Sequence, residues 1–292
     1  MTGVSESSQQ SSNLKDEGYI RGFALKTFQI HNKTMAYRDE GEGFPLLLGH
    51  SYLFDSTMWE PQIEALSKKY RVIAPDLWGH GNSGELPEQH STLADLARDY
   101  LALMDQLGIK EFAIIGLSAG GMWGIELVAM APDRVKALVL MDTFVGLEPE
   151  VTHTKYFAML DAIEQVGAIP QSILQQQIVP AFFSQQPAQH LVDELTQRLV
   201  AIPAEVLRNS IVPLGRIIFG REDRTHLLEK LDIPSLVITG EQDTPRPPLE
   251  GYLMAEILHC DHIIIQDAGH ISTLEQPHKV NQELVAFLQQ AL

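Results

Sequence analysis

The feature that most constrains the fold is a regular alternation between short apolar runs and helical patterns. Six runs are almost continuously apolar, which is typical of strands buried on both faces of a sheet: PLLLGH, RVIAPDL, FAIIGLS, ALVLMDT, SLVITGEQD and HIIIQDAGH. Amphipathic helical patterns lie between and after them, such as TLADLARDYLALMDQLG and HKVNQELVAFLQQAL. The alternation predicts an α/β fold with a mostly parallel, doubly wound sheet that is covered by helices.

The N-terminal part of the chain has a different pattern. Residues 1–21 are rich in Ser and Gln and have little to bury, so we expect a disordered tail. After it, FALKTFQI and KTMAYRDEG alternate in the manner of antiparallel strands and favour a hairpin. The α/β core is therefore expected to comprise residues 22–145 and 229–292.

A long stretch interrupts the alternation between the strand that ends at Asp142 and the one that starts at Ser235. Roughly ninety residues pass there without a strand pattern, whereas a connection with one helix needs about twenty to thirty. We interpret residues 146–228 as a helical cap over one end of the sheet, although a separate helical domain of unrelated function is an alternative. Its short amphipathic helices are expected to be broken by Pro170, Pro180, Pro187, Pro203 and Pro213, and no internal repeat is expected.

Composition excludes several classes of protein. Lys and Arg number 21 against 38 Asp and Glu, and the resulting net charge of −17 disfavours nucleic acids and anionic membranes as partners. The single cysteine, Cys260, forms neither an intramolecular disulfide nor a CxxC metal clamp. The sequence contains no run of 18 apolar residues and no signal-peptide pattern, so we expect a cytoplasmic protein.

The run FAIIGLSAGGMWGIEL carries the main chemical motif. Its Gly-x-Ser-x-Gly segment, Gly116 to Gly120, directly follows a buried strand and directly precedes a helix. In that context the serine lies on a strained turn that exposes its hydroxyl, and larger side chains in place of Gly116 and Gly120 would collide. We predict that Ser118 is the nucleophile, and the alternative is a glycine-rich packing turn.

A serine nucleophile needs a base and an acid. Among eleven histidines, His270 lies at the end of the last apolar strand, where such sheets assemble their sites, and we predict that it is the base. Asp243 follows the preceding strand and gives the chain order Ser, Asp, His, so we predict that it is the acid. Asp142 follows another strand at the same edge and remains an alternative acid.

The oxyanion of an acyl-transfer reaction needs two backbone donors. The N–H of Ala119 is one candidate, because it starts the helix after the nucleophile. The other is expected in the loop Gly49-His50-Ser51-Tyr52, where we choose Ser51 and keep Tyr52 as the alternative one residue later.

These residues together resemble the α/β-hydrolase superfamily over about residues 22 to 292. DLWGHGNSG, from Asp76 to Gly84, resembles a loop that many members carry after the fourth strand, where its Asp76 and His80 are usually structural. The chain is similar to the branch of carboxylesterases, enol-lactone hydrolases and cofactor-free haloperoxidase-like enzymes. The resemblance implies an eight-stranded sheet with a cap inserted between strands 6 and 7. Many members read His-Gly before the oxyanion residue, whereas this chain reads Gly49-His50.

We therefore predict a serine hydrolase, without metal or cofactor, that cleaves small or medium carboxylic esters through an acyl-enzyme. A lactonase is the runner-up, and a non-catalytic binding or signalling protein on the same fold is the rival from another class. Five residues are predicted to line the substrate pocket: Tyr52, Trp123, Phe144, Phe182 and Phe183. Uncharged short-chain or aromatic esters are the expected substrates, unless Arg198, Arg208 or Arg216 of the cap turns inward to bind a carboxylate.

Overall fold

The computed structural model describes residues 25–292, and the predicted tail at residues 1–21 lies outside this range. The described residues form one eight-stranded sheet. Its strands are β1 (Leu25–Ile30), β2 (Lys33–Glu40), β3 (Phe44–Gly49), β4 (Tyr70–Pro75), β5 (Phe112–Leu117), β6 (Val135–Met141), β7 (Ser235–Gly240) and β8 (Asp261–Ile265).

The strand order is β1-β2-β4-β3-β5-β6-β7-β8. β1 and β2 form an antiparallel hairpin and β2 pairs antiparallel with β4, while all other neighbours are parallel. The prediction of a mostly parallel, doubly wound sheet that starts with a hairpin is confirmed. Because parallel strands point the same way, the carboxyl ends of β3, β5, β6, β7 and β8 meet at one edge.

The helices of the core pack in two groups. The core helices are α1 (Glu60–Leu66), α2 (Leu93–Gln106), α3 (Ala119–Met130), α11 (Pro248–Leu258), α12 (Ser272–Glu275) and α13 (Pro277–Ala291), and a short 3₁₀ helix spans Ser56–Trp59. α1 packs against α13, while α2 packs against α3, which is buried along most of its length. Within residues 25–292, no helix is both long and apolar enough to cross a membrane.

The described chain between β6 and β7 contains helices and loops but no strand. The helices are α4 (Glu150–Val166), α5 (Gln171–Ile173), α6 (Val179–Phe182), α7 (Gln189–Val200), α8 (Ala204–Val206), α9 (Val212–Phe219) and α10 (Thr225–Leu228). π-helical turns at Leu174–Ile178 and Leu207–Ile211 join α5 to α6 and α8 to α9. We refer to Glu150–Leu228 as the helical insertion.

Pro180 and Pro213 do not break helices, contrary to the sequence prediction. Each is the second residue of a helix that continues directly from a π turn. The residue before each proline donates its N–H to the carbonyl five positions earlier: Val179 to Leu174, and Val212 to Leu207. This wider turn accommodates a proline ring that would otherwise clash with the carbonyl four positions before it.

The helical insertion also contains a repeat, which the sequence analysis missed. Residues 168–180 read AIPQSILQQQIVP and residues 201–213 read AIPAEVLRNSIVP. Each segment follows a longer helix and contains one π turn, and in both the shared Leu and Ile are buried: Leu174, Leu207, Ile178 and Ile211. The insertion therefore contains two similar segments, each with a longer helix followed by a π turn and a short helix.

Candidate active site

Ser118 lies in the sharp turn between β5 and α3. Its φ of 55° and ψ of −116° are strained for a residue with a side chain, and such strain concentrates at functional sites. The Ser118 N–H donates to the Met141 carbonyl (2.9 Å), and Thr143 Oγ1 donates to the Ser118 carbonyl (2.6 Å). The surrounding backbone therefore holds this turn on both sides.

The glycines around Ser118 are required by close backbone contacts. A Cβ on Gly116 would lie 2.5 Å from the backbone of Gly120, and a Cβ on Gly120 would lie 2.1 Å from the Gly49 carbonyl oxygen. Both distances are shorter than any ordinary carbon contact. The collision expected from the sequence at Gly116 and Gly120 is thus present in the structure.

The His270 ring connects Ser118 to Asp243. Its Nε2 lies 2.9 Å from Ser118 Oγ, and its Nδ1 lies 2.9 Å and 3.1 Å from the two oxygens of Asp243. All three residues are buried. His262, a competing histidine, instead pairs with Thr239 Oγ1 at 2.9 Å.

Asp142, the alternative acid, forms its hydrogen bonds with groups other than His270. Its Oδ1 accepts the Gly240 N–H (2.7 Å) and its Oδ2 accepts the Ser272 hydroxyl (2.6 Å). Burial, helped by the charge of Asp243, holds the pKa of the Asp142 carboxyl well above its usual range. Asp142 therefore ties the ends of β7 and α12 together, and Asp243 is the carboxylate that faces the imidazole.

Near Ser118, the backbone N–H groups of Ala119, as the sequence suggested, and of Tyr52 have no acceptor among residues 25–292. Ser51, the sequence-based choice, directs its N–H to Met58 Sδ at 3.5 Å, which speaks against it as an oxyanion donor. The structure thus favours Tyr52, the alternative one residue later.

His50 orients this loop. The Leu77 N–H donates to His50 Nε2 (2.8 Å), so the other ring nitrogen, Nδ1, carries the proton and donates to the Ser51 carbonyl (2.8 Å). Because the peptide unit between Ser51 and Tyr52 is planar and trans, the Tyr52 N–H points away from that carbonyl. His50 thereby fixes the direction of the Tyr52 donor.

His80 makes the reverse contact, so each of the loops after β3 and β4 carries a histidine that accepts a backbone N–H from the other loop. We refer to His50 and His80 as the clasp. The Leu53 N–H donates to His80 Nε2 (3.1 Å), while His80 Nδ1 donates to the Trp78 carbonyl (2.9 Å). Burial lowers the pKa of His50 to about 4 and that of His80 to about 3, so both rings are neutral near pH 7. Asp76 accepts two backbone N–H groups, which is consistent with the structural role expected for it.

A cavity of about 230 Å³ opens above Ser118 and His270. The loops at the sheet edge line one side, and α4, the π turn before α6, α6 and α9 of the helical insertion line the rest. Of the predicted pocket residues, Tyr52 and Phe182 line this cavity. The other three do not: Trp123 packs on Tyr100, Phe183 is buried, and Phe144 packs beside Gly146.

An aromatic wall, made of Tyr52, Phe219 and Tyr156, crosses the cavity. The Phe219 ring lies 5.7 Å from the Tyr52 ring and 4.2 Å from the Tyr156 ring, centroid to centroid. The Tyr156 hydroxyl in turn interacts with the Arg246 guanidinium. Sequence reasoning missed Arg246 and Lys155, which both line the cavity.

Arg246 belongs to a cluster of four charged side chains beside Asp243, of which three are buried and Glu250 is partly buried. One carboxylate oxygen, Glu148 Oε1, accepts from both Arg246 and Arg221, and Glu250 lies 3.4 Å from Arg246. The backbone N–H of Arg246 also donates to Asp243 Oδ1 (2.9 Å). The cluster therefore joins the loop that carries Asp243 to Glu148, which precedes the helical insertion, and to Arg221, which lies between α9 and α10.

The three arginines that the sequence analysis considered do not line the cavity. Arg198 lies 3.4 Å from Asp55, and Arg216 pairs with Asp161 and Glu164. Arg208 donates to the Glu164 carbonyl (3.1 Å). Their charges are thus directed to acidic and carbonyl groups elsewhere.

One group of potential metal ligands lies away from the cavity, formed by His31, His90 and Asp99. Both imidazoles are already hydrogen-bonded to Asp99, at 2.7 Å and 2.6 Å, and Trp78 Nε1 donates to the same carboxylate (2.8 Å). Through these contacts the Asp99 carboxylate links the β1-β2 hairpin to α2.

Comparison with known proteins agrees with this geometry. Residues 45–186 match the family described as alpha/beta hydrolase fold. The uncharacterized carboxylesterase nap of Bacillus subtilis is 30% identical over 251 residues, which cover 83% of this chain and 78% of that protein. The chain belongs to the α/β-hydrolase family.

Other relatives of this α/β hydrolase carry related names. The 3-oxoadipate enol-lactonase 1 of Acinetobacter baylyi is 27% identical over 88% of this chain and 93% of its own length. An esterase of Thermogutta terrifontis, solved with malate bound, superposes with a TM-score of 0.80 at 28% identity and covers 91% of this chain and 97% of its own. The resemblance to the carboxylesterase and enol-lactonase branch is confirmed.

Proposed function

We propose that this α/β hydrolase cleaves small or medium carboxylic esters through an acyl-enzyme, with Ser118 as nucleophile, His270 as base and Asp243 as acid. The observation that carries the proposal is the continuous series of hydrogen bonds from Asp243 through His270 to Ser118 at the floor of the cavity. Nucleophile, base and orienting acid in this arrangement are the requirements for acyl transfer.

The first half of the reaction forms the acyl-enzyme. Ser118 Oγ attacks the ester carbonyl carbon while His270 Nε2 takes its proton, and Asp243 stabilises the imidazolium that results. The Ala119 and Tyr52 N–H groups donate to the negatively charged oxygen of the tetrahedral intermediate. Collapse of this intermediate breaks the carbon–oxygen bond, and the departing alcohol takes the proton from His270.

The second half releases the acid. A water molecule gives one proton to His270 and attacks the acyl carbon, and the new intermediate expels Ser118, which regains that proton. These groups supply every step, so the proposal includes neither a metal ion nor a cofactor. We also propose that the protein is cytoplasmic and that its substrate is a small molecule.

The helical insertion is proposed to act as the cap of the site. Four of its elements contribute to the cavity wall, and the aromatic wall joins it to the oxyanion loop at Tyr52. A cap of this kind excludes water and selects the substrate by shape.

Lactone hydrolysis is the second candidate function. A lactone is an internal ester, so the same groups open its ring and leave the alcohol attached to the product. The enol-lactonase name of a relative that aligns over most of its length favours this candidate.

Labelling with a fluorophosphonate tests the proposal against a non-catalytic binding protein. We expect one label per chain, located by peptide mass spectrometry on Ser118 and absent from Ser118→Ala. A folded wild-type protein that takes up no label would contradict the proposed function.

A further inference from the structure

We propose that the substrate carries a free carboxylate in addition to its scissile ester or lactone, and that Lys155 and Arg246 bind this carboxylate. The inference rests on the proposed function, since it places the reacting carbonyl at Ser118. It departs from the sequence-based expectation of an uncharged ester.

The charge of the cavity wall is opposite to that of the chain. The chain has a net charge of −17, yet the charged side chains that line the cavity within residues 25–292 are Lys155 and Arg246, with no Asp or Glu among them. Arg246 is paired with Glu148 and Glu250. The uncompensated charge that the described residues place on this wall is therefore that of Lys155. A wall with an uncompensated positive charge attracts anions and disfavours cations.

The aromatic wall connects the oxyanion loop to Arg246. It runs from Tyr52 through Phe219 to Tyr156, and Tyr156 interacts with the guanidinium. We expect an acyl chain that lies along this wall to place a terminal carboxylate near Arg246 while its carbonyl lies beside Ser118. This arrangement suits half-esters of short dicarboxylic acids and lactones that bear a carboxylate.

The protein holds the Arg246 side chain in place before any substrate binds. Glu148 and Glu250 contact it, and its side chain is 3% exposed. Arg221 shares Glu148, so two guanidinium groups balance two carboxylates. Burial raises the pKa of Glu250 to about 7, which leaves the cluster with a net positive charge once Glu250 is protonated. A preorganised guanidinium in a poorly solvated site is a strong carboxylate partner.

Lys155 supplies a second cation at the rim. It is exposed on α4 next to Tyr156, and it makes no ion pair within the described residues. Its ammonium group is thus available to a ligand. The exposed Lys155 and the buried Arg246 together provide a cation at the rim of the cavity and one in its wall.

The test compares two substrates of nearly equal size: monoethyl glutarate and its terminal amide, which lacks the charge. At neutral pH we expect kcat/KM to be about tenfold or more higher for the carboxylate, as a charged hydrogen-bonding pair predicts. Lys155→Met should reduce this ratio several-fold through KM for the carboxylate. The matched control Lys279→Met removes an exposed lysine on α13 and should leave the ratio unchanged.

Equal kcat/KM for the two substrates, or a preference that Lys155→Met and Lys279→Met leave equally intact, would overturn the carboxylate proposal while ester hydrolysis stands. Arg246→Met should abolish the preference in protein that melts normally. If neither ester is hydrolysed and Ser118 takes no label, the proposed function fails. Calorimetry with glutarate and glutaramide then tests carboxylate binding separately. The carboxylate proposal is supported if the protein binds glutarate but not glutaramide and Lys155→Met weakens that binding, and it is contradicted if glutarate does not bind.

Discussion

The edge of the sheet and the helical insertion determine the cavity in different ways. At the sheet edge, the backbone dictates each position: Ser118 has a positive φ, and Gly116 and Gly120 leave no room for a Cβ. In the insertion, the adjacent residues Phe182 and Phe183 have the same side chain, yet only Phe182 lines the cavity. Strand order and the turns after the strands bring Ser118, His270 and Asp243 together, whereas the pocket wall depends on how each helix is rotated and packed.

The largest effects are expected at the sheet edge, from Ser118→Ala and His270→Ala. Each should lower kcat by several orders of magnitude, and the double variant should lose little more, because the residues act as one unit. Steady-state kinetics on protein with an unchanged melting temperature measures this. A folded Ser118→Ala variant that keeps more than about a tenth of the activity would rule out the acyl-enzyme.

The two aspartates at the same edge should differ next most strongly. Asp243→Asn should lower kcat by about a thousandfold or more, because the imidazole then loses the partner that fixes its tautomer. Asp142→Asn should keep most of the activity, since Asp142 bonds Gly240 and Ser272 instead. The reverse ranking in kcat would transfer the role of acid to Asp142.

Phe182 and Phe183 offer a matched pair within the insertion. Phe182→Ala should raise KM by about tenfold through lost apolar contact with the substrate, and it should also lower the free energy of unfolding because its ring is largely buried. Phe183→Ala should mainly lower the free energy of unfolding, by about 3 kcal/mol, because a buried ring is removed. Urea denaturation measures the free energy of unfolding of both variants, and steady-state kinetics measures their KM. Equal KM values would show that Phe182 does not contact the substrate more than Phe183 does.

The smallest effect near neutral pH is expected for stability against pH, and it concerns the clasp of His50 and His80. Their folded pKa values, about 4 and about 3, lie below the unfolded value of about 6.5, so the unfolded state binds more protons on acidification. The stability that their neutral rings contribute is complete above pH 6.5 and is lost progressively as the pH falls towards 3. Urea unfolding should show this loss, and His80→Gln should flatten it. An unchanged slope in that variant would contradict the assignment.

Much of the fold and of the candidate site was readable from the sequence. Apolar runs predict parallel strands because strands buried on both faces lack alternation, and residues after such strands share an edge. That reasoning selected Ser118, His270 and Asp243, which the structure brings together. It could not settle the choice between Ser51 and Tyr52 as the second oxyanion donor, because that choice depends on the direction of one peptide unit.

Other features were not readable in the same way. Arg246 is held by Glu148, nearly a hundred residues away in sequence, so local patterns carry no sign of that contact. Its position three residues after Asp243, at the edge where the site forms, was the available signal. The repeat of residues 168–180 at 201–213 was visible as AIP and IVP at equal spacing, and comparing the chain with itself would have found it.

A crystal structure of the phosphonylated protein tests the central claim most directly, because the adduct resembles the tetrahedral intermediate. We predict a covalent bond between phosphorus and Ser118 Oγ, with the phosphoryl oxygen about 2.7–3.1 Å from the N–H nitrogens of Ala119 and Tyr52. A phosphoryl oxygen directed away from both donors, or an adduct on another residue, would contradict the account.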